Sequence, residues 1–395
     1  MGKLKYSHYL KMRPKAEEFP WMIIISVIYP CNLGCPFCPY TDGNSELRKF
    51  YHEHKGDILP LELWKKIADE SGPHGAFLRC TGGGEPMLHK NMVEMVEYAK
   101  EKGCRIWLNT NGTVLGPNSA NREKLRRLIA AQTDLIEFSA DAGDAATYNI
   151  VRPPRRAAPD PKQWHDLVDN IRAALRLRSE LKSPTRIVVS MIMQKILEGK
   201  MEAALNFWTK DVGVDYVIQR KYLTWDDNTV LRTDPSLHPD LYNQEIKLVN
   251  AEKEAAADPN KPIDAFAAMS FPNDDLPPCV WPFERLNVDT LGRVALCGQD
   301  ISFRTSHLFP NINRASIKEV WQSPMFKWYR ETHLRGEGSR ALPCRNCSAW
   351  KAGIRDWKHN WQKVMKGSGA NLKIAMGGDL GAEVDIYEPP EESGV

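Results

Sequence analysis

The sequence predicts an α/β fold, in which a parallel sheet or partial barrel is followed by a small cysteine-rich region. Two observations predict this fold class. Strand-like and helix-like segments alternate over roughly the first 220 residues, and most of the nine cysteines fall into one early group and one late group. Such alternation is typical of parallel strands, because each strand needs a crossover that returns the chain to the same edge of the sheet.

Six short segments have the β-branched composition of buried strands, and five patterns with apolar residues at three- and four-residue spacing separate them as helices. The predicted strands are 22–28, 76–80, 105–109, 134–139, 186–193 and 214–219, and the predicted helices are 60–70, 91–102, 121–132, 161–182 and 198–209. Segment 226–278 loses this alternation, although a helix is expected at 240–257. Beyond it, a strand–turn–strand pattern covers 284–297, and a helix is expected at 316–334.

Charge and composition narrow the classes of function. The chain has 395 residues and a formal net charge of +3, from 53 basic and 50 acidic residues. This balance gives no reason to expect nucleic acid or a membrane surface as a partner. The longest apolar run, 22–28, is too short to span a bilayer, and the polar N-terminus lacks the apolar stretch of a signal peptide. We therefore expect a cytoplasmic protein.

The cysteines predict metal chemistry rather than disulfides, because a reducing compartment keeps thiols free. The early group is Cys31, Cys35 and Cys38, the late group is Cys279, Cys297, Cys344 and Cys347, and Cys80 and Cys104 stand apart. Spacing alone leaves three alternatives open for the early group: a [4Fe–4S] cluster with one open iron, a zinc loop that lacks its fourth ligand, or a turn that contains cysteines by coincidence. For the late group, a structural zinc site is the alternative to a cluster.

The early group resembles the signature of the radical S-adenosylmethionine superfamily, in which an aromatic residue stands just before the last of three cysteines at this spacing. Phe37 fills that place. The resemblance implies that Cys31, Cys35 and Cys38 bind a [4Fe–4S] cluster whose open iron binds the methionine part of S-adenosylmethionine. It also implies that one-electron reduction releases a 5′-deoxyadenosyl radical, so that the cofactor carries the difficult chemistry.

Further motifs similar to those of the family fall at the ends of successive strands, where a parallel barrel carries its active site. They are Gly82-Gly83-Gly84-Glu85-Pro86, Thr110-Asn111-Gly112, Ser139-Ala140-Asp141 and, further on, Arg152. The resemblance implies that Gly83 and Gly84 let the backbone approach the methionine amino group, while Glu85 matches its charge. It places Ser139 and Asp141 near the ribose and methionine. Arg152 would neutralise the cofactor carboxylate.

The late cysteines and the sequence around them resemble the SPASM and twitch extensions of the same superfamily. By this resemblance, Cys279, Cys297, Cys344 and Cys347 bind an auxiliary [4Fe–4S] cluster. A full SPASM domain usually holds two such clusters and needs more cysteines than remain, so we expect one auxiliary cluster of the shorter twitch kind. Four thiolates leave no open iron, which suits electron transfer or scaffolding.

The resemblances, together with the loss of alternation after the barrel and the composition of the tail, define five regions with different expected roles. They are an N-terminal extension (1–21), a radical S-adenosylmethionine partial parallel (β/α)6 barrel (22–225), a connector (226–278), a small twitch or SPASM domain (279–350) and a C-terminal tail (351–395).

The expected activity is hydrogen abstraction from a small hydroxylated molecule, such as a sugar or cyclitol, with dehydrogenation or epimerisation as the outcome. An external one-electron donor such as flavodoxin or ferredoxin would supply electrons. Cys80 is a candidate hydrogen donor. The candidate substrate contacts at later strand ends are Gln194, Lys195, Arg220, Lys221, Asp226 and Asp227, with His52, His54 and Trp225 as further candidates. The alternatives are a maturase that modifies a peptide, disfavoured by the short segment before the first strand, and a non-catalytic iron–sulfur or zinc protein.

Overall fold

The computed structural model describes residues 18–41, 46–81, 83–116, 118–221, 279, 281–298, 300–335, 338 and 344. They form an α/β fold around one eight-stranded sheet with the strand order β6-β5-β4-β3-β2-β1-β7-β8. The strands are β1 (Met22–Ser26), β2 (Phe77–Thr81), β3 (Arg105–Thr110), β4 (Leu135–Ser139), β5 (Arg186–Met193), β6 (Tyr216–Lys221), β7 (Arg285–Val288) and β8 (Val294–Ala295).

Among the described residues, helices connect the first six strands, one helix precedes β7, and two follow β8. They are α1 (Glu46–His54), α2 (Leu61–Ser71), α3 (Met92–Glu101), α4 (Ser119–Ala130), α5 (Ala145–Val151), α6 (Pro161–Glu180), α7 (Met201–Asn206), α8 (Trp281–Glu284), α9 (Ile317–Trp321) and α10 (Pro324–Leu334). Short 3₁₀ segments add to these, and α7 continues into a π-helical turn at Phe207–Val212. None of the described helices is both long enough and apolar enough to cross a membrane.

Strands β1 to β6 pair in parallel, each with its neighbour in the chain. The six-strand alternation predicted from the sequence is therefore confirmed. Because the strands are parallel, their carboxyl ends lie at one edge of the sheet, and the loops after β1 to β5 meet there. This edge carries the cysteine loop and the strand-end motifs.

The hydrophobic core lies between this sheet and the helices. Alternate residues of each strand enter it, including Ile25 of β1 and Leu108 of β3, both fully buried. Trp64 of α2 is also fully buried, and its indole N–H donates to the carbonyl of Met95 in α3 at 2.8 Å. The core therefore lies on the outer face of the sheet, which the helices cover.

The cysteine-rich domain shares the sheet with the barrel. Strand β7 pairs in parallel with β1, with Met22 opposite Arg285 and Ile25 opposite Val288. Strand β8 then pairs with β7 in antiparallel fashion. The turn between them needs Gly292, whose φ is +72° and whose added Cβ would lie 2.7 Å from the amide nitrogen of Asn313. The predicted hairpin is present, but it extends the parallel sheet from six strands to eight.

Several helices differ from the sequence prediction. Helices α1 and α5 were not predicted, and the single helix expected at 316–334 is two helices. The break falls at Ser323 and Pro324, because proline has no N–H to continue the first helix but fits the first turn of the next. The side chain of Ser323 caps that second helix by accepting from the N–H of Phe326. The expected helix at 240–257 and the tail lie outside the described residues.

The face of the sheet opposite the helices carries a buried polar cluster. The Trp107 indole N–H donates to the Glu137 carboxylate at 2.8 Å, and Nη2 of Arg79 lies 3.6 Å from the same carboxylate. The Arg79 guanidinium also stacks 4.3 Å from the Trp107 ring centroid and donates from Nε to Asn109 at 2.9 Å. Only 1% of the Glu137 side chain is exposed. The cluster therefore joins β2, β3 and β4 through a desolvated charge pair.

Replacing Glu137 with alanine removes the buried counterion of Arg79 and the acceptor of the Trp107 N–H. We expect the free energy of unfolding to fall by about 3 kcal/mol, as for one lost partner of a buried ion pair. Urea unfolding measures this change. The matched control is Glu62→Ala, because Glu62 pairs with Lys65 at 3.3 Å with 84% of its side chain exposed. Such a surface pair contributes less than about 1 kcal/mol, so equal losses would contradict the prediction.

Candidate cluster and cofactor site

The cysteine loop leaves the carboxyl end of β1 and is held compact by Thr41. The Thr41 hydroxyl contacts the carbonyls of Cys35 and Cys38 at 2.5 and 2.8 Å, and its N–H donates to the Cys38 carbonyl at 2.9 Å. Burial raises the pKa of the Cys31 thiol to about 11 and that of Cys35 to about 12. The charges of Cys38 and Cys31 also raise the pKa of Cys35, and the charge of Cys38 raises that of Cys31, so the loop brings the three thiols near one another.

Arg152 brings a buried positive charge to this group of thiols. Its Nη1 lies 4.0 Å from the sulfur of Cys35, and its guanidinium is 5.6 Å from the ring centroid of Phe37. Burial alone would lower the pKa of Arg152, but the charges of Asp141 and Cys35 raise it above its ordinary value. The guanidinium is therefore charged beside the cysteine loop, where it can compensate negative charge on sulfur.

Asp141 holds Arg152 in that position. Its Oδ2 accepts from Nε of Arg152 at 2.8 Å and also from Nη2, while its Oδ1 accepts from the N–H of Ile192 at 2.5 Å. The residue has a φ of +51°, a conformation that aspartate tolerates better than most residues. The sequence predicted Asp141 and Arg152 as separate cofactor contacts, and the structure pairs them with each other.

Glu85 ties the end of β2 to the end of β3. Its Oε1 accepts from the Met87 N–H at 2.9 Å and from the Thr110 hydroxyl at 2.6 Å, and its Oε2 accepts from the Asn111 N–H at 2.6 Å. Burial raises the pKa of Glu85, although these hydrogen bonds oppose the shift. Three of about four acceptor positions are thus occupied by the protein. The Glu85 carboxylate therefore links the motif after β2 to the motif after β3.

Gly83 and Gly84 press their loop against the chain that precedes Cys31. A Cβ added to Gly84 would lie 2.3 to 2.6 Å from the carbonyl oxygens of Pro30, Tyr29 and Ile28. A Cβ on Gly83 would lie 2.3 Å from the Tyr29 ring. No side chain fits at either position, so the glycines allow a close approach between two backbone segments of the site. Gly82 lies outside the described residues.

The Asn111 side chain connects the third motif to the cysteine loop. Its amide donates to the side chain of Asn32, the residue after Cys31, at 2.9 Å. Asn32 in turn donates to the hydroxyl of Thr113 at 2.8 Å. Gly112, between Asn111 and Thr113 in the chain, has a φ of +72°, and a Cβ added to it would lie 2.7 Å from side-chain atoms of Leu167 and Phe138. The loops after β1, β2 and β3 are therefore one hydrogen-bonded unit.

Two polar residues complete the edge at β4 and β5. Ser139 is the last residue of β4, is half-buried, and lies opposite Ser190 in the register. Gln194 directly follows β5 and is 2% exposed. Neither atom of its side-chain amide has a hydrogen-bond partner among the residues that the structure describes. A buried amide in this state is stabilised by a bound polar molecule, so the edge fits a ligand with hydrogen-bonding groups.

Three of the late cysteines lie near helix α10. Cys279, Cys297 and Cys344 are all buried. The His333 ring is 3.5 Å from the Cys279 nitrogen and 3.3 Å from the Cys344 sulfur, and burial lowers the pKa of His333 to about 4. Tyr329, one turn earlier, feels the charges of both Cys297 and Cys344. The structure therefore gathers three of the four predicted ligands, and Cys347 lies outside the described residues.

No three His, Cys, Asp or Glu side chains of the described segments converge closely enough to hold a single metal ion. A four-iron cluster makes a different demand, because each thiolate binds a different iron. Two groups of buried or half-buried thiols, one of them with a charged guanidinium beside it, fit that demand.

Family models match both parts of the chain. The model of the Radical SAM superfamily matches residues 25–189, and that of the SPASM iron–sulfur cluster-binding domain matches residues 279–348. The chain belongs to the radical S-adenosylmethionine superfamily. Its C-terminal region is a SPASM domain. Together the two domains imply two kinds of cofactor site: a [4Fe–4S] cluster that binds S-adenosylmethionine, and an auxiliary cluster.

Similar curated proteins align with both domains of this radical S-adenosylmethionine protein. A PqqA peptide cyclase from Gluconobacter oxydans is 23% identical over 349 residues, which cover 86% of this chain and 84% of the relative. A PqqA peptide cyclase from Rhodopseudomonas palustris is 27% identical over 346 residues, covering 84% and 81% of the two chains. The solved structure of Streptococcus suis SuiB bound to S-adenosylmethionine has a TM-score of 0.54 at 14% identity. It covers 82% of this chain and 71% of SuiB, and it supports the fold.

The sequence placed Cys80 on the active-site side of this radical S-adenosylmethionine fold, and the structure places it elsewhere. Cys80 is fully buried in the core, and the neighbouring residue Arg79 occupies the opposite face of the sheet. Burial also raises the pKa of its thiol. The reason is that successive side chains of a strand point to opposite faces of the sheet: the side chain at position 80 faces the helices, and the one at position 79 faces the other way. We withdraw the hydrogen-donor role. Cys104, whose sulfur donates to the Ala68 carbonyl at 3.3 Å, is likewise a core residue.

Cys80→Ala should therefore leave the yield of 5′-deoxyadenosine and the distribution of products unchanged. The expected cost is about 1 kcal/mol of unfolding free energy, typical of a small loss of core volume. Anaerobic turnover assays and thermal unfolding measure the two quantities. Normal deoxyadenosine formation with a changed fate of the substrate radical would instead show that Cys80 donates hydrogen.

Proposed function

We propose that this radical S-adenosylmethionine enzyme modifies a peptide. The observation that carries the proposal is the extent of the similarity to PqqA peptide cyclases, which spans more than four fifths of both chains. The alignment therefore includes the SPASM domain as well as the barrel. A solved structure of SuiB bound to its precursor peptide SuiA shares the fold at a TM-score of 0.54.

A peptide substrate replaces the sugar or cyclitol that the sequence predicted. The relatives named here act on a peptide by name, whereas no described contact favours a carbohydrate over a peptide. The dehydrogenase and epimerase outcomes predicted with that substrate lose support for the same reason. The peptide maturase weighed as an alternative is the better-supported function.

We assign the S-adenosylmethionine-binding cluster to Cys31, Cys35 and Cys38. When bound there, cluster and cofactor would supply a 5′-deoxyadenosyl radical that abstracts hydrogen from carbon. The chain supports this chemistry in two ways. Phe37 packs against the core beside the loop and so shields it from water. Arg152 places a positive charge 4.0 Å from the Cys35 sulfur. An electron-rich cluster is stabilised by such a buried cation.

We assign binding of the cofactor's polar groups to the strand ends. Arg152, Ser139 and the amide of Gln194 line the carboxyl edge of β4 and β5, and neither polar atom of the Gln194 side chain has a hydrogen-bond partner among the described residues. Glu85, Gly83 and Gly84 act mainly by fixing the backbone of their loop, through the three hydrogen bonds and the close approach described above. Asp141 orients Arg152.

We assign the auxiliary cluster to Cys279, Cys297, Cys344 and Cys347. Three of these residues are buried around α10. With four thiolates the auxiliary cluster would have no open iron, so its role would be to pass electrons or to support the fold, not to bind substrate. An external donor such as flavodoxin or ferredoxin would then deliver electrons to the enzyme.

The test is to incubate the anaerobically reconstituted enzyme with S-adenosylmethionine, reduced flavodoxin and synthetic peptides encoded by short reading frames beside its gene. We expect one peptide to lose two hydrogen atoms as a ring closes, with 5′-deoxyadenosine formed in proportion. Perdeuteration of that peptide should move deuterium into deoxyadenosine. The control replaces the peptide with an aminocyclitol, and turnover of the cyclitol in place of the peptide would refute the proposal.

A further inference from the structure

Helix α10 ends with a buried histidine between two of the late cysteines. His333 is 2% exposed. Its Nδ1 accepts from the N–H of Cys279 at 3.5 Å, and its Nε2 lies 3.3 Å from the sulfur of Cys344. The two cysteines are 65 residues apart in the chain, so this contact is a product of the fold and not of local sequence.

The two contacts fix the tautomer of the ring. A ring nitrogen that accepts a backbone N–H carries no proton of its own. The single proton of the neutral imidazole is therefore on Nε2, the atom that faces Cys344. Nε2–H is a donor and the sulfur is the acceptor.

We propose that His333 is a positioning residue of the auxiliary cluster, which donates a hydrogen bond to the Cys344 sulfur and thereby raises the reduction potential of that cluster. Hydrogen bonds to cluster sulfurs favour the reduced state, because reduction adds negative charge that the donor stabilises. Burial strengthens this contribution, since no water competes for the sulfur. The inference concerns the auxiliary cluster and stands whatever substrate the enzyme takes.

The position of His333 is set by its helix. Arg330, three residues earlier, donates to the carbonyls of Pro282 at 2.7 Å and Trp321 at 2.9 Å. Its guanidinium also stacks 4.2 Å from the Trp321 ring centroid. These contacts hold α10 against α8 and α9, so the imidazole is presented to Cys279 and Cys344 by a packed element. The sequence offers no local motif for this role.

The test measures the potential of the auxiliary cluster by redox titration followed by electron paramagnetic resonance. In a full-length variant with Cys31, Cys35 and Cys38 replaced by alanine, the auxiliary cluster is the one that titrates. We expect His333→Phe, which keeps a ring but no donor, to shift the midpoint to a more negative potential. His333→Gln, which keeps an N–H donor near the same place, should recover most of the shift. The control is His307→Phe, because His307 is exposed and bonded to the Arg304 carbonyl.

Equal midpoints for His333→Phe and the parent would overturn the proposal. A second measurement needs no substitution at His333. In the reduced holoenzyme labelled with ¹⁵N-histidine, pulsed resonance should detect a weak nitrogen coupling to the auxiliary cluster, transmitted through the hydrogen bond. The absence of coupling would contradict the assignment. So would the strong coupling of a nitrogen bound directly to iron, because His333 would then be a ligand.

Discussion

Replacing Cys31, Cys35 and Cys38 together with alanine should abolish reductive cleavage of S-adenosylmethionine and halve the iron content. Two [4Fe–4S] clusters correspond to about eight irons per chain, and the variant should retain about four. The physical reason is that, on the assignment proposed above, the three thiolates of one loop hold one cluster, so their removal leaves the auxiliary cluster alone. Iron and sulfide analysis, together with chromatography of 5′-deoxyadenosine, measures both effects.

The matched control is Cys104→Ala, because Cys104 is also a buried cysteine but its sulfur contacts the Ala68 carbonyl in the core. This variant should keep both clusters and the cleavage activity. Deoxyadenosine formation that persists in the triple variant would refute the assignment of the loop. Loss of all eight irons would point to a folding defect, which near-ultraviolet circular dichroism distinguishes from loss of one cluster.

Gly84→Ala should destabilise the protein by about 3 kcal/mol or more and strongly reduce cleavage of S-adenosylmethionine. One methyl group here would meet the carbonyl oxygens of Pro30, Tyr29 and Ile28 within 2.6 Å. These are backbone atoms that cannot rotate away, so the loop after β2 must separate from the segment before Cys31. Overpacking of this kind exceeds the usual 1–3 kcal/mol when backbone must move.

Urea unfolding and deoxyadenosine assays on the same preparation measure both consequences of Gly84→Ala. The control is Gly56→Ala, because a Cβ at Gly56 would meet no atom within 4 Å. This substitution should leave activity unchanged and stability within about 0.5 kcal/mol. A Gly84→Ala protein as stable as the Gly56→Ala protein would show that the two segments are not in contact.

The parallel sheet could be predicted because each strand and helix has a local periodicity that the sequence displays. The pairing of β7 with β1 could not, because nothing in residues 285–288 shows which distant edge they will join. That edge is available because β1 is the first strand of the barrel and has one unpaired side. The same limit explains why the cysteine-rich region was expected as a separate unit.

The sequence predicted which residue types form the site but not which of them contact one another. The cysteines and strand-end motifs are visible in order along the chain, and their assignment to cofactor atoms stays a prediction. The pairing of Asp141 with Arg152, and of Glu85 with Thr110, depends on strand spacing and rotamers that the sequence does not show. Cys80 was misplaced because a shift of one residue along a strand reverses the face.

Strand β1 lies between β2 and β7, so that Ile23 is opposite Leu78 on one side and Leu286 on the other. The strand that precedes the early cysteines is thus also the strand with which the first strand of the late domain pairs. A second attachment joins the hydroxyl of Tyr40, just past Cys38, to the Ile301 carbonyl at 3.3 Å. A hinge motion between the two cysteine-containing regions would have to break the backbone hydrogen bonds between β1 and β7. One continuous sheet therefore joins the loop that begins at Cys31 to the strand that precedes Cys297, so we expect electron transfer between the two proposed clusters to require no domain motion.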